Sequence, residues 1–211
     1  MNCPLCGGVH LSLFGRDRRR SYWRCRACDL VSVPPDQWPD PAEERAEYDR
    51  HENHPDDPGY RRFLDRLFEP LTTRCPPPAR GLDFGCGPGP ALAAMGRERG
   101  YEMSLYDPLY ADEASALAGD YDFITATEVV EHLHDPGRTL ECLLRRLRPG
   151  GWLGLMTQLV INAERFATWR YKDDPTHVAF FSRQTLKWFA RRHGLRFEAV
   201  ARDAFLFQRP E

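Results

Sequence analysis

Four cysteines in two pairs offer the most definite chemistry in the chain: Cys3-Pro-Leu-Cys6 and Cys25-Arg-Ala-Cys28, separated by 18 residues. Two Cys-x2-Cys knuckles at that spacing can complete the sulfur tetrahedron of a zinc site whose four positions are all protein-filled, so that the metal holds a fold and activates no water. A second constellation is Asp83-Phe84-Gly85-Cys86-Gly87-Pro88-Gly89, whose glycines let backbone come close to a bound ligand. Asp107 follows 18 residues after Gly89, where a carboxylate can accept both ribose hydroxyls of a nucleoside. A dinucleotide turn G-x-G-x-x-G would need glycine at position 90, which is Pro90. A third group is Glu128-x-x-Glu131-His132 with His177 further on. Each of these four is a candidate general base if the attacking group is protonated at working pH, and each can equally serve as a cap after Thr127 or as a structural partner.

These residues need elements to position them. Gly81 to Phe84 reads as a short buried strand, Pro88 to Arg99 as a helix, and Glu102 to Tyr106 as a second strand. A short helix over Asp112 to Leu117 leads to a strand from Tyr121 to Thr127, then a helix from Pro136 to Leu147 and a strand from Trp152 to Thr157. Before them Phe63, Leu64, Leu67, Phe68 and Leu71 recur at helical spacing, and Pro76 to Pro78 stop that helix. A last helix, Ser182 to His193, precedes two apolar segments, Arg196 to Val200 and Ala204 to Gln208, close enough to pair as a hairpin. The repeating order implies a doubly wound α/β fold, a mostly parallel sheet with one antiparallel strand, preceded by a small zinc-ribbon module.

The expected organisation is a zinc-ribbon module over 1–33, a linker with some helix in it over 34–59, broken by Pro34, Pro35, Pro39 and Pro41, and a catalytic domain over 60–211. His51, His54, Asp56 and Asp57 read as a solvated loop in that linker, in preference to a metal site. A formal net charge of -2 argues against bulk electrostatic binding of nucleic acid, although Arg16 to Arg20 form a local basic cluster. The first residues lack a signal layout and no apolar run is long enough for a membrane span, so a cytoplasmic protein with no membrane partner is expected. Seven cysteines then favour metal ligation or burial over disulfides. Tyr22 and Trp23, beside Arg24, either contact RNA or cover a ribbon too small for its own core, and the second reading is preferred.

The run from Asp83 to Gly89 resembles the D-x-G-x-G-x-G signature of class I S-adenosylmethionine (SAM) dependent methyltransferases, and the segments Tyr121-Asp122-Phe123-Ile124, Glu128 to His132 and Leu147-Arg-Pro-Gly-Gly151 are similar to later strand regions of that family. The resemblance implies SAM as cofactor, held by the signature residues Asp83, Gly85, Gly87 and Gly89, with Gly85 and Gly87 against the methionine portion. It further implies Asp107 on the ribose and Pro108 and Leu109 flanking the adenine. The chain departs from the pattern in one place: about 13 residues separate Asp107 from Tyr121, so the family's third strand is shortened or lost.

The cysteine pairs joined to such a domain resemble zinc-containing methyltransferases of nucleotide-linked sugars and, more distantly, ribosomal RNA methyltransferases. The expectation is a small-molecule acceptor such as a sugar nucleotide or natural-product intermediate, with RNA as the alternative acceptor and a non-catalytic adaptor as the other class. Glu128, Glu131, His132 and His177 also resemble the set with which some small-RNA and quinol methyltransferases hold magnesium, although imidazole is a poor ligand for so hard a cation. The loop over 158–181, with Trp169, Tyr171, Phe180 and Phe181, reads equally as an acceptor cover or as packing.

Overall fold

Short apolar runs bracketed by glycine and proline assemble the central sheet. The computed structural model of the chain describes residues 1–50 and 54–211. Its elements are β1 (Leu11–Arg16), β2 (Ser21–Cys25), β3 (Val31–Ser32), α1 (Pro41–Tyr48), α2 (Pro58–Arg74), β4 (Arg80–Phe84), α3 (Ala91–Glu98), β5 (Glu102–Tyr106) and β6 (Tyr121–Thr127). Then come α4 (Pro136–Arg146), β7 (Leu147–Met156), α5 (Ala163–Ala167), β8 (Ala179–Phe180), α6 (Arg183–Arg192), β9 (Arg196–Ala199) and β10 (Ala204–Gln208). A six-stranded sheet has the order β5-β4-β6-β7-β10-β9, and β10 alone runs against its neighbours. That is the class I methyltransferase fold expected from the sequence.

Period-two alternation divides the core between the two faces of this sheet. Leu206 joins Phe123, Trp152 and Met156 under Leu64, Leu67, Phe68 and Leu71 of α2. Phe205 and Phe207 face the other way, with Ile124 and Leu155, under Leu140 and Leu143 of α4 and Phe189 of α6. Each such fully buried side chain stabilises the fold by roughly 1.5 to 3 kcal/mol.

Two expectations meet a different outcome. The strand read as Trp152 to Thr157 begins at Leu147, because the Leu-Arg-Pro-Gly-Gly segment stays in the ladder beside β6 with a register shift. The helix expected over Asp112 to Leu117 is a single 3-10 turn, Ala116–Ala118. In agreement with the short span from Asp107 to Tyr121, no strand stands between β5 and β6 in the described chain, and β5 is the sheet edge.

The cysteine-bearing segment does not stand apart from this body. β1 and β2 form a hairpin, β3 pairs with β2, and β8, from the loop ahead of α6, completes the same four-stranded sheet. Cys3, Leu5, Cys25, Cys28 and Leu30 share one hydrophobic cluster with Leu140, Phe181 and Phe189. Tyr22 is buried and its hydroxyl donates to Asp17 (2.7 Å), as the packing reading has it. Within the stretch read as linker, Asp40 caps α1 through a capping box with Glu43. Asp57 caps α2, and His54 Nδ1 accepts from the Asp56 N–H, so these residues serve local turns; His51 lies outside the described residues. Among the described residues no helix is long and apolar enough to cross a membrane.

Candidate functional site

A cavity of about 780 Å³ opens at the carboxyl ends of β4, β5 and β6, where parallel strands hand over to loops. Asp83, Gly85, Gly87, Asp107, Pro108, Leu109, Glu128, His132 and His177 all line it. Gly89 is buried and is not among the lining residues, and Glu131 lies behind the wall, fully buried.

The turn after β4 is shaped by two left-handed glycines, Gly85 at φ +71° and Gly87 at φ +61°. A Cβ on Gly85 would meet Val129 at 2.4 Å, whereas one on Gly87 would meet nothing within 4 Å. The two glycines therefore do different work: the first lets the loop pack, and the second leaves a cradle open beside the cavity. Asp107 sits at the end of β5 with one carboxylate oxygen accepting the Gly87 N–H (3.0 Å) and the other accepting the Leu109 and Tyr110 N–H groups (2.9 and 3.2 Å). It thus fixes the glycine turn as well as facing the cavity. Asp83 is buried, accepts from the Thr125 hydroxyl (3.0 Å), and burial pushes its carboxyl up to about 7.

At the other end, β6 delivers Glu128 in the left-handed region (φ 54°), followed by the turn holding Glu131 and His132. The loop ahead of β8 returns Tyr171, Asp174, Thr176 and His177 to meet them. The Thr176 hydroxyl donates to Asp174 (2.6 Å), so it must accept from His132 Nδ1 (3.0 Å), because a hydroxyl has one proton to give. The Tyr171 carbonyl can only accept, so His177 Nδ1 carries the proton of their 2.6 Å contact. His177 Nε2 stands 3.8 Å from Asp174, and the two rings meet edge to face at 4.5 Å.

The Tyr171 hydroxyl touches both Glu128 (3.2 Å) and Glu131. Burial raises both carboxyls, Glu128 to about 7 and Glu131 well above its ordinary value, the charge of Glu128 adding to the second. This is a poor magnesium site. Glu131, His132 and His177 each bring one ligand atom within 4.8 Å of the others, but Glu128 is not part of that cluster, and the phenol occupies the carboxylates a hard cation would need. The magnesium that the four-residue resemblance left open does not fit.

The four cysteine sulfurs do fit a tetrahedral metal. All lie within 4.8 Å of one another, with Cys3–Cys28 and Cys6–Cys25 both at 3.5 Å, near the edge of about 3.8 Å for a tetrahedron with 2.3 Å zinc–sulfur bonds. Burial pushes the Cys6 thiol up to about 11, so a full set of thiolates needs a cation at its centre.

Several cavity residues carried no signal that the sequence reading used. Glu44 and Tyr48 of α1 and Tyr60 and Phe63 of α2 roof the cavity. The capping box Asp40–Glu43 was the available sign that a helix starts in the supposed linker. Of the loop aromatics, Tyr171 reaches the site, while Phe180 and Phe181 are fully buried packing.

Known proteins are consistent with this geometry. A family model described as a methyltransferase domain matches residues 49–200. Relatives include ubiquinone biosynthesis O-methyltransferases, from Cronobacter sakazakii at 31% identity over 34% of this chain and 29% of the enzyme, and from Paraburkholderia phymatum at 27% over 55% and 64%. The chain thus spans less than two thirds of either relative's length. Among solved structures, the Burkholderia thailandensis 1,6-didemethyltoxoflavin-N1-methyltransferase, bound to its acceptor and S-adenosylhomocysteine, is 16% identical, covering 96% of this chain and all of its own, with a TM-score of 0.52. A putative methyltransferase of Haloferax volcanii, in complex with the activator Trm112, covers 80% of this chain and 98% of its own at 16% identity and a TM-score of 0.53. At such identities these structures show the fold alone. The signature turn, the strand order and the match over residues 49–200 together place the chain in the methyltransferase-domain family, on the class I SAM-dependent fold.

Proposed function

We propose that the protein transfers the methyl group of SAM to a small-molecule acceptor. The observation that carries this reading is the open cradle at Gly87, pinned by Asp107 and continuous with a cavity whose far end holds two oriented histidines. Gly85, Gly87 and Asp83 would hold the methionine end of the cofactor, Asp107 the ribose, and Pro108 and Leu109 the adenine. When bound, SAM supplies a methyl group already made electrophilic by its sulfonium. What remains for the chain is to align the acceptor, exclude water and take up a proton. The roof of α1 and α2 serves exclusion, and Nε2 of His132, oriented through Thr176 by Asp174, serves as proton acceptor.

One zinc held by Cys3, Cys6, Cys25 and Cys28 belongs to the same proposal, supported by the sulfur spacing and the closed donor set. Its role is structural. Calorimetry with SAM and S-adenosylhomocysteine tests the cofactor assignment directly, with Asp107→Ala expected to weaken binding by roughly 1.5 to 3 kcal/mol, the scale of lost hydrogen bonds to a charged group. Absence of binding by the wild-type protein would refute the reading.

A further inference from the structure

We propose that the acceptor carries a cationic amino group that docks among Glu44, Tyr48 and Asp174; this deepens, and rests on, the methyltransferase reading. Six carboxylates line the cavity, those of Glu44, Asp83, Asp107, Glu128, Asp135 and Asp174, with neither lysine nor arginine among the described lining residues. Three have other duties. Asp83 and Asp107 stand at the glycine turn, and Asp135 caps α4 by accepting from the Arg138 N–H (3.1 Å). The others face the acceptor end.

A separate observation shows where their field converges. The Tyr48 hydroxyl donates to Glu44 (2.8 Å), its ring meets His132 at 5.2 Å, and its ionisation is suppressed first by burial and then by the charges of Glu44 and Asp174. Asp174 stays ionised: burial alone would raise its carboxyl, but hydrogen bonds from Thr176 and the neighbouring His177 bring it below its ordinary value. An aromatic face beside ionised carboxylates in a roofed cavity is a place for an ammonium, held by charge and by the ring. Glu44 and Asp174 stand 3.9 Å from His134 and 3.8 Å from His177, imidazoles that carry charge only when protonated, and two cations outside the lining are paired away from them. Lys172 is paired with Asp17 and Asp173, and Arg66 with Asp203. At the end near Glu44 and Asp174 the same field opposes a phosphate or carboxylate on the acceptor, so it disfavours sugar nucleotides and RNA as groups bound there.

Because the acceptor is unidentified, the test uses charge-matched probes. Nitrogen-15-labelled protein saturated with S-adenosylhomocysteine is titrated with 4-amino-, 4-hydroxy- and 4-carboxy-TEMPO, and line broadening is read at amides 128–134 and 174–177, normalised to exposed Val9 and Ile161. The cationic nitroxide is expected to broaden the cavity amides at least fivefold more than the anionic one, with the neutral probe between. The double substitution Glu44→Gln with Asp174→Asn should bring the cationic probe down to the neutral one. Equal broadening by the three probes, or stronger broadening by the anion, overturns the proposal. Calorimetry on the same sample separates the two readings: failure to bind S-adenosylhomocysteine sinks the methyltransferase assignment, whereas normal binding without a charge preference sinks this inference alone.

Discussion

Arg20 is the residue through which the cysteine-bearing hairpin acts on the site, and removing its guanidinium is the most informative single perturbation. It is 7% exposed and donates through Nη1 to the carbonyls of Pro175 (3.0 Å) and His177 (2.8 Å), and through Nη2 to those of Asp174 (2.9 Å) and Lys172. The segment over 170–177 is a single 3-10 turn, Arg170–Asp173, followed by irregular backbone, so its carbonyls cannot find partners in a ladder, and one planar cation satisfies four of them. Arg20→Met leaves the two fully buried acceptors, on Lys172 and His177, without a donor, at roughly 1 to 3 kcal/mol each. Relaxation of the loop toward water moderates the sum, so a loss of about 2 to 4 kcal/mol is expected, concentrated in the loop as local opening. Amide hydrogen exchange at 171–179 should accelerate sharply while exchange in β4 and β6 changes only by the global loss. Arg20→Lys should behave like Arg20→Met, since one ammonium cannot span four carbonyls. SAM affinity should stay within about twofold, because the glycine turn rests on β4 and Asp107, away from Arg20. Unchanged exchange at His177 to Ala179 in both variants would refute the reasoning.

Gly87→Val should abolish measurable SAM binding in calorimetry while Asp107→Ala only weakens it, since the first fills the cradle and strains a left-handed position, and the second loosens the turn. Glu128, buried with its carboxyl raised to about 7, binds more protons in the folded than in the unfolded chain between about pH 4.5 and 7, so its contribution to stability falls as pH rises through that window. Glu128→Gln should therefore melt higher than wild type at pH 8 and alike at pH 4.5, by thermal unfolding at both. Elemental analysis should find one zinc per chain and less in Cys25→Ser; since Cys25 packs in the cluster that holds Leu140 and Phe189, chelation should lower the melting temperature of the whole protein. Thr176→Val should shift the pH dependence of His132 in histidine NMR, because the bond orienting its Nδ1 is lost.

The parallel core was legible because its signals are local. β5, β6 and β10 fall within the limits read from sequence, each an apolar run closed by polar or glycine residues. The glycine turn and Asp107 were legible because only a ligand-approaching loop needs those types at that spacing. What was missed is of two kinds. α1 was read only as some helix within a linker, without bounds or a place over the site, because the prolines around it were weighed as breakers, although its start signal is readable and Pro41 occupies the first helical turn where proline is tolerated. β8 is two residues long and exists only because Val31 and Ser32 pair with Phe180 and Ala179, so no periodicity announces it. Tyr171, Asp174 and Thr176 likewise lie in irregular backbone, where position comes from tertiary contacts such as those of Arg20.

The two places where the chain departs from a standard plan explain each other. With no strand between β5 and β6, the loop after Asp107 is held by only a small bridge to Ala111 and one 3-10 turn, which leaves the Asp107 end of the cavity thinly walled. The segment ahead of α2 closes it instead. The Tyr110 hydroxyl donates to Asp49 (2.6 Å) at the end of α1, Glu44 approaches His134 at 3.9 Å, and the His134 ring stacks on Trp38 at 4.1 Å. α1 buries none of its own residues, so these few polar and stacking contacts, not a hydrophobic face, decide where it sits. A roof held that way costs little to lift. It can admit cofactor and acceptor without disturbing the sheet, and the same lightness explains why a helix that covers the site read, in sequence, only as some helix within a linker.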